Sequence, residues 1–216
     1  MFITFEGGEG SGKTTIIRAV NTYLKEKGLK VYVTREPGGS LIAEDIRHII
    51  LDNKNTALSP KTEALLFAAS RAQHLDEIIL PKLEKGYTVL CDRYLDSSLA
   101  YQGYARNLGI DAVLKVNHYA VEHLPNYTIY IDSDPEKGLQ RAISRGGANR
   151  LDNESLAFHR KVREGYLLLA KTYSDRFIVV DGNCNIDTLT KRTLDKIKEL
   201  LWRIPIKSSL YLNRHT

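Results

Sequence analysis

The chain has 216 residues, 43% of them hydrophobic and 26% charged, which allows one sizeable core, excludes two ordinary domains and excludes a disordered chain. Its net charge of +5 comes from 31 Lys and Arg against 26 Asp and Glu. These charges form no long like-charged run, so the balance suits a small anionic ligand as well as nucleic acid.

The first strand is predicted over residues 2–5, where "FITF" alternates apolar and β-branched side chains. It reaches Glu6 at once, so the apolar centre of a signal peptide is missing; no later run approaches a membrane span, and a cytoplasmic protein with no membrane contact is expected. Residues Gly7, Gly8, Glu9, Gly10, Ser11, Gly12, Lys13 and Thr14 follow, matching G-x-x-x-x-G-K-[ST]. A strand before them and the helical pattern "TTIIRAVNTYLKEKG" after them are the two flanking conditions of a P-loop. Its glycines let backbone N–H groups ring a phosphate at a helix N-terminus. Lys13 is expected on the β- and γ-phosphates and Thr14 on Mg2+.

A second strand is predicted over 30–34, after the helix stop at Gly28, and runs into "TREPGG". In the long helical segment "TEALLFAASRAQHLDEIILPKLEKG", Leu65, Ala68, Ala69, Ala72, Leu75, Ile79 and Leu83 share one stripe and are expected to face the core. Phe67 and Arg71 lie off that stripe at i and i+4, where a ring and a guanidinium could stack on and hydrogen-bond a planar base. Gly86 stops the segment. Three more strands are predicted over 88–91, 128–131 and 177–180, and a last helix over "KIKELLW" before Pro205. The two cysteines, Cys91 and Cys184, are too few for a disulfide framework and fit a reducing compartment. The histidines show no metal-ligand spacing and are read as surface or packing residues. Asp132 and Asp134 are expected to cap the helix after the fourth strand.

Five strands alternating with helices give an α/β fold, a five-stranded parallel sheet flanked by helices, with its ligands at the carboxyl ends of the strands. The expected division is a P-loop kinase domain over 1–203, with a lid about 141–152, and a tail over 204–216 without sustained helical period. A GTP switch would need D-x-x-G and N-K-x-D; the first is absent and the nearest approach to the second is Asn53-Lys54-Asn55-Thr56. A small phosphotransferase remains, with a non-enzymatic nucleotide switch as the competing class.

Taken in order, "FEGGEGSGKTT", "TREPGG", "LFAASRAQHL" and "CDRYLDSSLAYQGYARNLG" resemble the bacterial thymidylate kinases, from the N-terminus to about Leu201. The resemblance implies ATP-dependent phosphorylation of dTMP to dTDP, for dTTP supply to DNA synthesis, with Mg2+, with no nucleic-acid partner and as a homodimer. A kinase for another monophosphate such as dUMP is the enzymatic alternative. By the same resemblance Arg93 clamps the acceptor phosphate, helped by Arg47 and Arg35, Glu36 is among the substrate-binding residues, and Asp92 organises Mg2+ beside Thr14. Phe67 stacks on thymine, Arg71, Ser98 and Gln102 bond its edge, Tyr101 crowds the sugar 2' position, and Glu9 lies near the 3' hydroxyl or steers a phosphate-binding arginine. The family has a subtype with a basic residue inside the P-loop; here that position is Gly10, so the chain resembles the other subtype, in which lid arginines, here Arg141, Arg145 and Arg150, bring the catalytic charge.

Overall fold

The computed structural model describes residues 1–144, 146 and 148–203, the side chains of Trp202 and Arg203 excepted. Arg145, Gly147 and the tail over 204–216 lie outside the described residues. Five strands, β1 (Phe2–Gly7), β2 (Val31–Arg35), β3 (Thr88–Asp92), β4 (Tyr127–Asp132) and β5 (Phe177–Asp181), form one sheet in the order β2-β3-β1-β4-β5. Every pairing is parallel. The expected five-stranded parallel sheet is thus observed, each strand reaching one or two residues beyond the apolar run that announced it.

The helices are α1 (Lys13–Glu26), α2 (Leu41–Leu51), α3 (Pro60–His74), α4 (Leu80–Glu84), α5 (Leu95–Ser98), α6 (Ile110–Val116), α7 (His118–Val121), α8 (Pro135–Ser144), α9 (Leu156–Thr172) and α10 (Ile186–Arg203). Ser59 caps α3 by accepting from Thr62 N–H, with Pro60 in the first turn, where its missing donor costs nothing. Asp134 caps α8 in the same way, accepting from Glu136 and Lys137 N–H. Asp132 does otherwise: its carboxylate takes a two-pronged bond from Arg163 at 2.6 and 2.9 Å. Wider π-helical turns join α3 to α4 (Leu75–Ile79) and continue α5 (Leu99–Ala105). The first precedes Pro81, which has no N–H to continue the α ladder.

Alternation along β1 decides what each face of the sheet contains. Ile3 and Phe5 are fully buried against Ile16, Val20, Leu189 and Ile197 of α1 and α10, each contributing about 1.5–3 kcal/mol by burial. Phe2, Thr4 and Glu6 point to the opposite face, under α5 and α9. That face carries polar structure within its core: Thr4 Oγ1 pairs with Thr128 Oγ1 at 3.0 Å, and Arg176 makes a two-pronged bond to Asp96 at 2.6 and 2.7 Å. Asp96 is 0% exposed, so removing Arg176 alone would leave a buried charge, at a cost of about 3–5 kcal/mol.

The stripe expected to bury α3 is corrected. Leu75 and Ile79 are buried, but Leu65 is 55% exposed and Ala69 is exposed. The inward face is Glu63, Ala64, Phe67, Ser70, Arg71 and His74. Two causes combine. The inward face meets a polar network that satisfies its charged groups, and the π turn rotates the later residues out of register with the earlier ones.

Candidate active site

Between β1 and α1 the backbone turns back on itself through Gly10 and Gly12, at φ 62° and 99°, conformations that L side chains rarely adopt. Lys13 Nζ curls into the loop, donating to the carbonyls of Gly7 (3.0 Å) and Gly8 (2.9 Å) and to Ser11 Oγ (3.3 Å). Burial and the neighbouring Arg93 charge pull its ammonium below the ordinary value. Thr14 Oγ1 donates to Asp92 Oδ2 at 3.4 Å, tying the start of α1 to the end of β3. Among the described residues no group of three or more His, Cys, Asp or Glu side chains could hold a metal. One hydroxyl and one carboxylate is nevertheless a donor set that suits Mg2+, which keeps several waters and takes further oxygens from nucleotide phosphates.

Gly10 has a second reason to be glycine. A Cβ there would lie 2.0 Å from the carbonyl oxygen of Gly138 in α8, and a Cβ on Gly138 would lie 2.3 Å from the carbonyl oxygen of Glu9. The P-loop tip and the first turns of α8 therefore cross backbone to backbone. A basic side chain at position 10 would be strained by the φ and would force α8 to move.

A cavity of about 230 Å³ opens in front of the loop. Arg93 lines it, a non-glycine residue at φ 71°. Its Nη2 donates to Glu9 Oε1 at 2.6 Å and its Nη1 to Ser97 Oγ and Tyr166 Oη, each at 3.2 Å. Burial works against its charge, but Glu9, Tyr101, Tyr166 and Asp92 together outweigh that and hold the guanidinium well above its ordinary value. Burial likewise opposes the Glu9 carboxylate; Arg93, Lys13 and a 3.0 Å bond from Tyr101 Oη outweigh it and take Glu9 down to about 2. The Tyr101 ring also lies 5.2 Å from the Arg93 guanidinium. On the cavity's other side, Arg35 Nη2 donates to Glu44 (2.8 Å) and Arg47 Nη1 to the Pro37 carbonyl (2.7 Å).

A family model described as thymidylate kinase matches residues 5–192. The chain belongs to the thymidylate kinase family. It is 53% identical over 203 residues to the thymidylate kinase of Acholeplasma laidlawii, covering 93% of this chain and 100% of that one. It is 51% identical over 201 residues to the enzyme of a Geobacillus species, covering 92% and 96%. The crystal structure of thymidylate kinase from Ehrlichia chaffeensis superposes with a TM-score of 0.74 at 32% identity, over 92% of this chain and 98% of that one.

Of the residues that the thymidylate kinase resemblance singled out, Glu9 to Thr14, Arg35, Glu36, Arg47, Phe67, Asp92, Arg93, Tyr101 and Gln102 line the one cavity. Others stand back from it. Arg71 is 1% exposed and spends its donors on Glu36 (2.7 Å), Asn117 (2.6 Å), the Tyr94 carbonyl (3.1 Å) and Ser98 Oγ (3.0 Å). The Glu36 carboxylate is accordingly held by Arg71 and, at 3.1 Å, His74. Arg150, expected in the lid, bonds the Ile50 carbonyl at 2.8 Å and Glu63 at 2.6 Å, and Glu63 also receives Gln102 at 2.8 Å. Arg141 Nε donates to the Lys137 carbonyl on α8. Sequence reasoning missed Ser97, Asn149 and Leu151, which do line the cavity. "LDSSLAYQG" presented two adjacent serines, and only the helix phase tells which one faces inward.

Proposed function

We propose that this chain transfers the γ-phosphoryl group of ATP directly to dTMP, giving dTDP on the route to dTTP, in the cytoplasm. The observation that carries the reading is the half-buried Arg93 guanidinium, held between Glu9 and two hydroxyls in the same cavity as Lys13 and the P-loop. A phosphate monoester has a second pKa of roughly 6, so at neutral pH the acceptor is already a nucleophilic dianion and no general base is required. The work left to the protein is to bring two polyanions into line and neutralise them. Lys13 and the loop take the donor; Arg93, with Arg35 and Arg47, takes the acceptor phosphate. Phe67 stacks on the base, Gln102 meets its edge with Arg71 and Ser98 behind it, and Tyr101 bounds the sugar. Thr14 and Asp92 would hold Mg2+, which supplies charge neutralisation when bound. The lid's contribution comes from Arg141, Arg145 and Arg150, the last bonded to Glu63 until the lid closes, and Gly10 leaves Lys13 as the one basic side chain of the P-loop.

The homodimer is proposed to form across α2 and α3, which pack on each other and expose Leu41, Ile42, Ile49 and Leu65 together with Ala69. Leu65 and Ala69 are stripe residues that stay out of the core, and a second copy would cover them together with the α2 residues.

An ADP-release assay with dTMP, dUMP, UMP and dCMP tests the reaction. dTMP should be turned over best, with dUMP lower by about 10 to 200-fold for its missing methyl. No turnover of dTMP beside clear turnover of another acceptor would overturn the reading.

A further inference from the structure

Beneath the P-loop, Glu6 of β1 is 0% exposed and has no part in the chemistry above. Its Oε1 accepts from Tyr94 N–H at 2.8 Å. Its Oε2 lies 2.6 Å from Ser97 Oγ and 2.8 Å from Tyr166 Oη, and those two hydroxyl oxygens are 2.8 Å from each other. Three oxygens thus form a triangle in which every edge is of hydrogen-bond length. Two hydroxyls supply two hydrogens. With Glu6 ionised, one edge is a contact between lone pairs; with Glu6 protonated, every edge has its hydrogen. The same two hydroxyls accept from Arg93 Nη1.

We propose that Glu6 is a positioning residue for Arg93, acting through the Ser97 and Tyr166 hydroxyls, and that it takes up a proton when the acceptor's phosphate settles on Arg93. This rests on the reading of Arg93 as the phosphate clamp. The groups around Glu6 agree with it. Asp96 in α5, paired to Arg176, adds negative charge; Arg93 and the Lys13 ammonium of α1 add positive charge; the Cys91 thiol of β3 and Tyr130 of β4, stacked on Tyr166 at 4.9 Å, are neutral. Burial and Asp96 push the Glu6 carboxyl up to about 7, against Ser97, Arg93 and Tyr166. Burial also drives the Tyr94 and Tyr166 phenols upward, so the hydroxyls keep their protons and Glu6 is the group that exchanges. A dianion on Arg93 cancels the positive charge that favours ionised Glu6, which raises the carboxyl further in the complex. Binding then takes up a proton above pH 7, and affinity falls as pH rises there.

Titration calorimetry of dTMP into the full chain at pH 7.5, in buffers of different ionisation enthalpy, reads this directly. The wild type should take up a sizeable fraction of a proton, and its Kd should weaken several-fold between pH 7 and 8.5. Glu6→Gln, whose amide nitrogen donates to both hydroxyls while one hydroxyl donates to the other, keeps a hydrogen on every edge and should show little uptake and a flat Kd. Equal uptake in Glu6→Gln, as would occur if His159 below Glu9 were the acceptor, overturns the assignment, as does a wild type with no uptake. Arg93→Ala separates the two readings: unchanged dTMP affinity there would sink the clamp itself, whereas a large loss of affinity beside unaltered uptake in Glu6→Gln would sink only the role of Glu6.

Discussion

Arg93 stands in a left-handed backbone conformation, φ 71°, that costs a non-glycine residue of order 1–3 kcal/mol and persists only where its surroundings over-determine it. Here they do, because Glu9, Ser97 and Tyr166 each hold one end of the guanidinium. Tyr101 performs a different task in the same place, its ring against Arg93 and its hydroxyl on Glu9. If the ring bounds the sugar, Tyr101→Ala should improve the kcat/KM ratio of a ribonucleotide over its deoxy counterpart by on the order of tenfold or more, while Tyr101→Phe, which keeps the ring, should leave that ratio near the wild type. Equal changes in both variants would remove the sugar-gate role and leave only the hydroxyl bond to Glu9.

Helix α8 meets the P-loop through two glycines, and the contact is close enough to transmit position. Gly138 lies one helical turn before Arg141, so the distance from loop to helix sets where that arginine stands. Gly138→Ala must move α8, since the added carbon would sit 2.3 Å from the Glu9 carbonyl oxygen. Alanine in a helix interior is otherwise better than glycine by about 1 kcal/mol. Overpacking against that carbonyl costs about 1–3 kcal/mol, so the expected result is a melting temperature unchanged or lowered, with kcat lowered by about 10 to 100-fold and KM for dTMP little altered. Wild-type kcat in this variant would show that α8 is not positioned by the crossing. The π turn at Leu99–Ala105 is the other element that shapes the site, because its wider winding lets a largely buried helical segment present both Tyr101 and Gln102 to the cavity.

At the scale of the molecule, the sheet divides the core into an apolar side under α1 and α10 and a side with buried ion pairs under α5 and α9. The polar side is where the acceptor pocket is built, and its charges are satisfied internally by the Arg176–Asp96 and Arg71–Glu36 pairs. The exposed apolar residues of α2 and α3 belong to the outer surface next to that pocket. Leu65→Glu, at a position 55% exposed, should keep the fold and convert a dimer to a monomer in sedimentation velocity at micromolar concentration. A wild-type monomer, or a variant that remains dimeric, would exclude this face as the interface.

The sequence by itself determined what depends on near neighbours along the chain. Strand positions, the P-loop, the α8 cap at Asp134 and the family follow from local periodicity and short motifs, because hydrogen bonding and backbone freedom act over a few residues. Only the tertiary structure decided which face of α3 turns inward, since Glu63, Ser70, Arg71 and His74 become buriable only when partners distant in the chain satisfy them. The same holds for Arg150, whose spacing suggested a lid charge and whose Glu63 partner lies 87 positions away. It holds also for Glu6. Beside the P-loop it reads as one more residue of "FEGGEG", and its triangle exists only because Ser97 and Tyr166 arrive from 91 and 160 positions along the chain. Charge and polarity name the candidates locally, but the pairing that makes each one structural or functional is a long-range event that no window of sequence contains.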